Sequence, residues 1–454
     1  MSNSCLEVSR FGVALGALLA AAQPRYDLLL KGGHVIDPAN HVSAVRDVAI
    51  AAGKILAIAE NIPAAWAIKT VDVSQFYITP GLVDIHSHVM TMSGLRGSLP
   101  QDQNVWADSH TFRSGVTTVV DAGTSGWQNF PEQKARILDH SRTRILVMLN
   151  IVGHGQAGGA MEQDTGDMDP EATAEMAKRY RGIVVGVKTA HYQGPDWTPV
   201  ERAVEAGQLA DIPVMVDFGA FRPERPFEEL VLKKLRPGDI YTHTYVGRVP
   251  MLDDSGRVRP YLFDARKRGV IFDVGHGGGS FLFRQAVPAV HQGFRPDSIS
   301  TDLHTESMNA GMKDMLNVMS KFLNMGVPLE DVIAMSTWHP AREIKHTELG
   351  NLSVGATADI AVLNVQTGRF GFVDSYGARM AGNRRLLCEL TIHDGIVVYD
   401  LNGITRDSWD RLVITNTRET RRGMEPEARA EGRVDLSGKP LQGGWPCVLP
   451  RRKR

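Results

Sequence analysis

Cysteine is scarce in this chain. Cys5, Cys388 and Cys447 are the only three in 454 residues, and none forms a CxxC pair. Such spacing offers neither a thiolate zinc site nor a disulfide framework. Neither sign of charge prevails, with 50 Lys and Arg against 51 Asp and Glu. That balance carries no electrostatic footprint for nucleic acid or for an acidic membrane surface. The one basic run, Arg451, Arg452, Lys453 and Arg454, reads as a solvated tail. No Gly-x-Ser-x-Gly elbow occurs, so a serine hydrolase of that kind has no support. The apolar stretch from Phe11 to Leu19 is too short to cross a bilayer as a helix. Arg10 precedes it and Ala20-Ala21-Ala22 follows in the manner of a cleavage site, while Glu7 weakens the positive start. Residues 1–25 therefore read as an N-terminal extension, and an exported periplasmic protein and a cytoplasmic one both stay open.

What is present is an ordinary globular composition, 43% hydrophobic and 22% charged. Tyr26 to Thr79 reads as short strands joined by turns such as Gly32-Gly33 and Ala52-Gly53-Lys54. A matching β-rich piece returns in Ala358 to Leu363 and Leu387 to Val398. Between them, eight apolar runs alternate with helical patterns. The runs are Leu82 to Ile85, Val116 to Val120, Ile145 to Ile151, Ile183 to Val187, Ile212 to Val216, Asp239 to Thr242, Val270 to Val274 and Ile299 to Asp302. Eight β-then-α units predict an α/β fold, a closed (β/α)8 TIM barrel over 80–345. Residues 26–79 and 346–400 are expected to build one small β-sandwich domain from both ends. Residues 401–454, polar and aperiodic, read as a C-terminal tail.

The strongest motif is Gly81-Leu-Val-Asp-Ile-His86-Ser-His88 at the end of the first barrel run. Histidines two apart on a strand point to one side, as two imidazoles on one divalent metal require. With TPGLVDIHSH the chain also carries GVKTAHY, RPGDIYTHTYVG, FDVGHGGGSF, STDLH and WHPAREI, the last followed by GNLSVGATADIAVLN. Together these resemble the amidohydrolase superfamily, and within it the dihydroorotase-like deacetylase and acetyl-esterase group, over about Tyr26 to Val398. The resemblance implies two divalent metals, with zinc the expected ion, and a carbamate formed from CO2 on Lys188 at the end of the fourth strand. It implies His86, His88, Lys188, His243 and Asp302 as metal-binding residues, with Asp302 also catalytic as a proton carrier. The bland readings are a surface lysine for Lys188, a buried structural histidine for His243 and a helix N-cap for Asp302; the four apolar or Gly residues leading into Lys188 and the strand-end position of Asp302 count against the first and the last.

One position departs from the pattern. The fifth run ends in Asp217 where the family places a metal-binding histidine. Asp can ligate the same metals, but it lowers the charge of a dinuclear centre and should acidify its water less. The alternative is that Asp217 ligates nothing and one metal binds well. His276 ends the seventh run before Gly277, Gly278 and Gly279, and backbone N–H groups there could receive a substrate carboxylate or a developing oxyanion. His276 is expected as a hydrogen-bonding catalytic partner, and His191 and Tyr192 as substrate contacts. Arg222, Arg225 and Arg248 also follow barrel strands and read more simply as loop decoration. A decoy, Gly153-His-Gly155-Gln-Ala-Gly158, matches a dinucleotide fingerprint, but no helix is expected to open there.

The leading functional expectation is hydrolysis of an ester or amide of a small organic acid by a metal-bound hydroxide, deacetylase-like. A cyclic-amide hydrolase of dihydroorotase or hydantoinase type is the alternative, and a barrel that has lost catalysis is a third. The expected partner is a small molecule bearing a carboxylate, with no nucleic acid and no membrane, and a homo-oligomer is allowed.

Overall fold

The computed structural model describes residues 26–90, 104–156, 159–217, 222–249 and 251–410. The expectations for residues 1–25 and for the tail beyond residue 410 lie outside these residues, as does Gly158 of the decoy motif. Gly153 and Gly155 of that motif sit in a turn, followed by a short 3-10 segment rather than an α-helix.

Two sheets organise the chain. The first strands are β1 (Tyr26–Asp37), β2 (Val42–Ala51), β3 (Lys54–Ala59), β4 (Ala67–Asp72) and β5 (Tyr77–Pro80). The parallel strands follow as β6 (Leu82–Ser87), β7 (Val116–Gly126), β8 (Arg144–Asn150), β9 (Val184–Thr189), β10 (Val214–Val216), β11 (Ile240–Tyr241) and β12 (Ile271–Phe272). The last are β13 (Ile360–Val373), β14 (Arg379–His393) and β15 (Ile396–Asp400). β6 to β12 pair in chain order in one seven-stranded parallel sheet. Residues 298–303, which contain the expected eighth run Ile299 to Asp302, form no regular strand. They make isolated parallel bridges instead, Ser298 to Asp273 at one edge and Leu303 to Ser87 at the other.

Helices stand between the strands as the periodicity predicts. Pro170–Arg179 opens with Asp169 accepting from the Ala172 N–H and with proline in the first turn, both strong start signals. Thr198–Ala210 turns its alanines at 203 and 206 into the core. The main core lies between helices and strands and includes Val119, Val147, Val187 and Val216. A second, inner cluster takes Val83, Val120, Leu146, Val185, Met215 and Ile240 from six successive strands, plus Ala341, Ile344 and Leu349. Six successive strands thus contribute to this one cluster.

The two β-rich ends join in one eight-stranded mixed sheet, because β5 pairs antiparallel with β13. The expected sandwich is therefore a single hydrogen-bonded sheet with its own core of Leu30, Val48, Ile50, Ile78, Val362 and Ile392. The Gly350 to Gly355 segment leads into it, with Leu352 buried and the Gly355 N–H donating to Ile55 O at 2.7 Å. Arg144 of β8 ties the sheets together through Asp359 and, at 3.0 Å, Asp394. No described helix is long and apolar enough to cross a membrane.

Candidate metal centre

The C-terminal ends of the parallel strands carry the candidate site. On β6, Val83 and Ile85 pack in the inner cluster, yet the next residue, His86, faces Lys188. The register with β7 shifts between Asp84 and Ser87, and such an irregularity re-aims side chains. His86 and His88 place their rings 5.6 Å apart. Asp302 Oδ1 stands 3.1 Å from His88 Nε2 and 3.6 Å from His86 Nε2. The ligand atoms of these three residues lie within 4.8 Å of one another, compact enough to hold one ion. Lys188 Nζ is 3.0 Å from His86 Nε2. On the far side His243, its ring 5.1 Å from that of His86, sets Nε2 3.4 Å from Asp217 Oδ2. All six side chains are buried.

Glycine makes room for this crowding. A Cβ on Gly123 would stand 2.7 Å from Lys188 Cγ, and one on Gly277 would stand 2.3 Å from Asp302 Oδ2. Gly275 is as tightly enclosed, since a Cβ there would meet Thr242 Oγ1, His243 Nδ1 and His86 Nδ1 at 2.3 to 3.0 Å.

Hydrogen bonds fix the imidazole tautomers. The Thr242 hydroxyl donates to Asp273 at 2.8 Å, so toward His86 Nδ1, also at 2.8 Å, it accepts. Likewise Thr124 donates to Asp121 and faces His88 Nδ1 at 3.3 Å. His243 Nδ1 donates to the Gly275 carbonyl at 2.6 Å. Nδ1 thus carries the proton in all three, leaving each Nε2 lone pair turned to the centre. The lone pairs of His88 and His243 then face the carboxylates of Asp302 and Asp217. Without metal a proton on Nε2 can bridge such a pair; a divalent metal can take that proton's place, because imidazole nitrogen with carboxylate oxygen is a donor set that divalent metals accept. His86, His88 and Asp302 fit a divalent metal, and the neighbouring Asp217 and His243 offer further donors of the same kind.

Other expected residues are placed differently. His276 is fully buried and stacked on Phe281 at 4.5 Å. Its Nδ1 bonds to the Gly277 carbonyl and its Nε2 receives Lys321 Nζ at 2.5 Å, so both ring nitrogens are committed within the protein. The Gly277 N–H already donates to Thr301 O, whereas a Cβ on Gly278 would reach the His304 ring at 3.5 Å. Tyr192 gives its hydroxyl to Asp196, and Arg225 lies buried over the Tyr192 ring. Arg222 and Arg248 are exposed. His191 does join the site, with Nε2 3.3 Å from Asp217 Oδ2 and Nδ1 2.8 Å from Glu162 Oε2. A cavity of about 380 Å³ opens beside it, lined by Gly159, Glu162, Gln163, His191 and Gln193.

Reading the motifs did not find Glu162, the Thr124–Asp121 and Thr242–Asp273 pairs, or His304. His304 sits 3.9 Å from Asp302 Oδ2 and caps the helix Thr305–Asn309. A second carboxylate–histidine group, Asp359, His393 and Asp394, already holds the Arg144 guanidinium and is an ion-pair network.

A deacetylase of Brucella anthropi is 33% identical over 351 residues, covering 74% of this chain and 84% of that protein. The chain belongs to the amidohydrolase family. The profile of the amidohydrolase family matches residues 283–400. A deacetylase of Enterococcus faecalis is 28% identical and covers 83% of this chain and 99% of its own length. Among solved structures, an adenine deaminase aligns with a TM-score of 0.74 at 27% identity, covering 83% of this chain and all of that one. A dihydroorotase aligns with a TM-score of 0.70 at 29% identity, covering 82% and 99%.

Electrostatics in this amidohydrolase site follow from burial and crowding. Burial pushes the Lys188 ammonium below its ordinary range, although Asp217, Asp302 and Asp273 pull the other way. A lysine that sheds its proton more readily is the form that can react with CO2. Burial would raise the Asp302 carboxyl, but His86, His88 and His304 outweigh it and hold it well below the usual range. Burial likewise opposes a charged His243, and Asp217 overcomes that and raises it.

Proposed function

We propose that this amidohydrolase is a metal-dependent hydrolase that cleaves an acyl ester or amide of a small organic acid, in the manner of a deacetylase. The observation that carries the proposal is the facing of Nε2 lone pairs and carboxylates across one buried centre. His86, His88 and Asp302 would hold the first metal, Asp217 and His243 the second, and Lys188, carboxylated by CO2, would stand between them. The relatives named deacetylases support the acyl-group reading. When bound, divalent metals, zinc in our reading, supply an acidified water and a polarised carbonyl. The chain's own residues do the rest. His86 and His88 are locked by Thr242 and Thr124 with Nε2 aimed inward. Asp302, held ionised, can accept a proton at its free oxygen and return it to the leaving group. The cavity beside His191, lined also by Glu162, Gln163 and Gln193, gives part of a polar substrate room at the Asp217 side of the centre.

We also propose that residues 298–303 close the parallel sheet as an eighth strand, making a (β/α)8 barrel over 80–345. The bridges to both sheet edges support this. In the same reading, 26–79 and 346–400 form one composite β domain, supported by the β5–β13 pairing.

The test has two parts. Metal analysis of purified protein should find about two equivalents. A panel of N-acetyl amino acids, acetylated hydroxy acids and cyclic ureides should show turnover of an acetylated compound. Turnover of ureides alone would replace this reading with the cyclic-amide one, and protein that binds no metal and turns over nothing would mark a scaffold.

A further inference from the structure

We propose that His191 and Glu162 are positioning residues for the carboxylate of Asp217, compensating for the absence of an imidazole at the end of the fifth strand. The inference rests on the two-metal reading above. A histidine on that strand would hold its orientation through its second ring nitrogen, as His243 does with Gly275. Asp217 has no second ring nitrogen, so its carboxylate must be held through its own oxygens against turns about χ1 and χ2. His191 restricts them by placing Nε2 3.3 Å from Oδ2, the same oxygen that faces His243 at 3.4 Å.

His191 is itself fixed from several sides. Its Nδ1 meets the buried Glu162 carboxylate at 2.8 Å. Gln163, the next residue, grips the backbone on both sides of Tyr192. Its amide donates to His191 O at 3.0 Å and its carbonyl accepts from the Gln193 N–H at 2.8 Å. The segment after β8 thus pins the segment after β9 at three points. The backbone records the constraint. His191 has φ 57°, the left-handed region that a β-carbon disfavours, and it shares this with His243 at 62° and Asp302 at 50°. Strained backbone of this kind persists where the surroundings over-determine it, typically at functional sites. Direct ligation by His191 fits less well, because His191, Asp217 and His243 are not among the described groups whose ligand atoms lie mutually within 4.8 Å.

The experiment is a metal titration of the full chain, stripped and refilled with cobalt(II), following both the binding constants and the visible d–d absorption. Wild type, His191→Ala, Glu162→Ala and Glu162→Gln are compared, with thermal unfolding of each metal-free protein as a check on folding. In His191→Ala the second equivalent should bind roughly 10- to 100-fold more weakly, with the first unchanged. Glu162→Ala should move the same constant by less, and Glu162→Gln, which keeps an acceptor for Nδ1–H, should recover part of the loss. An unmoved second constant in His191→Ala overturns the inference while leaving two metals in place. Equal weakening of both equivalents also overturns it, since that marks general structural damage. Wild type that takes up fewer than two equivalents overturns the two-metal reading and this inference with it.

Discussion

Replacing Thr242 by valine should cost the site metal affinity without removing a single ligand. Valine keeps the branched shape and deletes Oγ1. His86 Nδ1–H then loses its acceptor in a site where His86 is 1% exposed. Asp273 loses one donor but keeps Ser300 at 2.6 Å and Ser298 at 2.9 Å. The main damage therefore falls on the imidazole. With Nδ1 unsatisfied, the ring is free to rotate or to move its proton to Nε2, and either change removes the lone pair from the metal. Losing such an orienting partner typically lowers metal affinity 10- to 100-fold, or about 1.4 to 2.7 kcal/mol.

The assay is metal retention in graded chelator buffers, with Thr242→Ser and Thr124→Val alongside. Serine restores the hydroxyl and should restore affinity. Thr124→Val should do less harm, because His88 Nδ1 and Thr124 stand 3.3 Å apart against 2.8 Å for His86 and Thr242. Wild-type affinity in Thr242→Val would refute the tautomer argument, as would a serine variant no better than valine.

Other outcomes follow from the same geometry. Asp217→Ala should release the second metal selectively, with the first still held by His86, His88 and Asp302, as metal analysis would read. Asp217→His should restore a neutral ligand, make the centre more positive and shift the acid limb of the pH–rate profile to lower pH. At the sheet junction, burial opposes the Asp359 charge, but His393 and Arg144 outweigh it and bring the carboxyl down to about 2. Its stabilisation is present above pH 4 and lost as pH falls through about 2, so Asp359→Asn should cost about 2 kcal/mol at neutral pH in denaturant unfolding and little near pH 2. Burial brings Lys321 down to about 7. Between there and the ordinary lysine range the unfolded chain binds the extra proton. Wild-type stability should therefore climb with pH relative to Lys321→Met, by roughly 3 to 5 kcal/mol across that interval.

Much of the fold was legible because strand ends announce themselves chemically. Seven of the eight apolar runs coincide with the seven parallel strands, the helix after Asp169 begins where its cap and proline indicate, and the helix after Trp197 where its proline does. The eighth run was harder to classify: the residues flanking Ile299 to Asp302, Ser298 and Leu303, join the two edges through isolated bridges, and the hydroxyls of Ser298, Ser300 and Thr301 serve Asp273 and Asp84 rather than an apolar face. The two β ends were readable as partners, but alternating side chains cannot say whether strands form one sheet or two. Within the site, residues of a contiguous motif were readable and residues acting across the fold were not. Glu162 lies 29 positions from His191, and Thr242 lies 156 from His86. Nothing local in the sequence links them. His276 shows the reverse error. Its place before three glycines suggested a substrate contact, yet Lys321, 45 residues on, claims its second nitrogen.

The polar groups behind the histidines also explain how the site tolerates its own geometry. His191, His243 and Asp302 all take left-handed backbone, which costs on the order of 1 to 3 kcal/mol per residue. An isolated loop would relax out of it. Here the neighbouring strands offset the cost with buried hydrogen bonds. Asp84 takes both the amide and the hydroxyl of Thr301, directly before Asp302. The Asp302 N–H donates to His86 O at 2.7 Å, and the His88 N–H donates to Leu303 O at 2.8 Å. The first strand and the eighth segment thus hold each other through the same residues that supply the candidate ligands. Removing the Asp84 carboxylate should consequently disturb the first metal position and the edge-to-edge contact of the sheet together. In Asp84→Asn, hydrogen exchange of the Asp302 and His88 amides and the affinity of the first metal equivalent should change in step. A variant that lost metal affinity with both amides as protected as in wild type would separate the two roles.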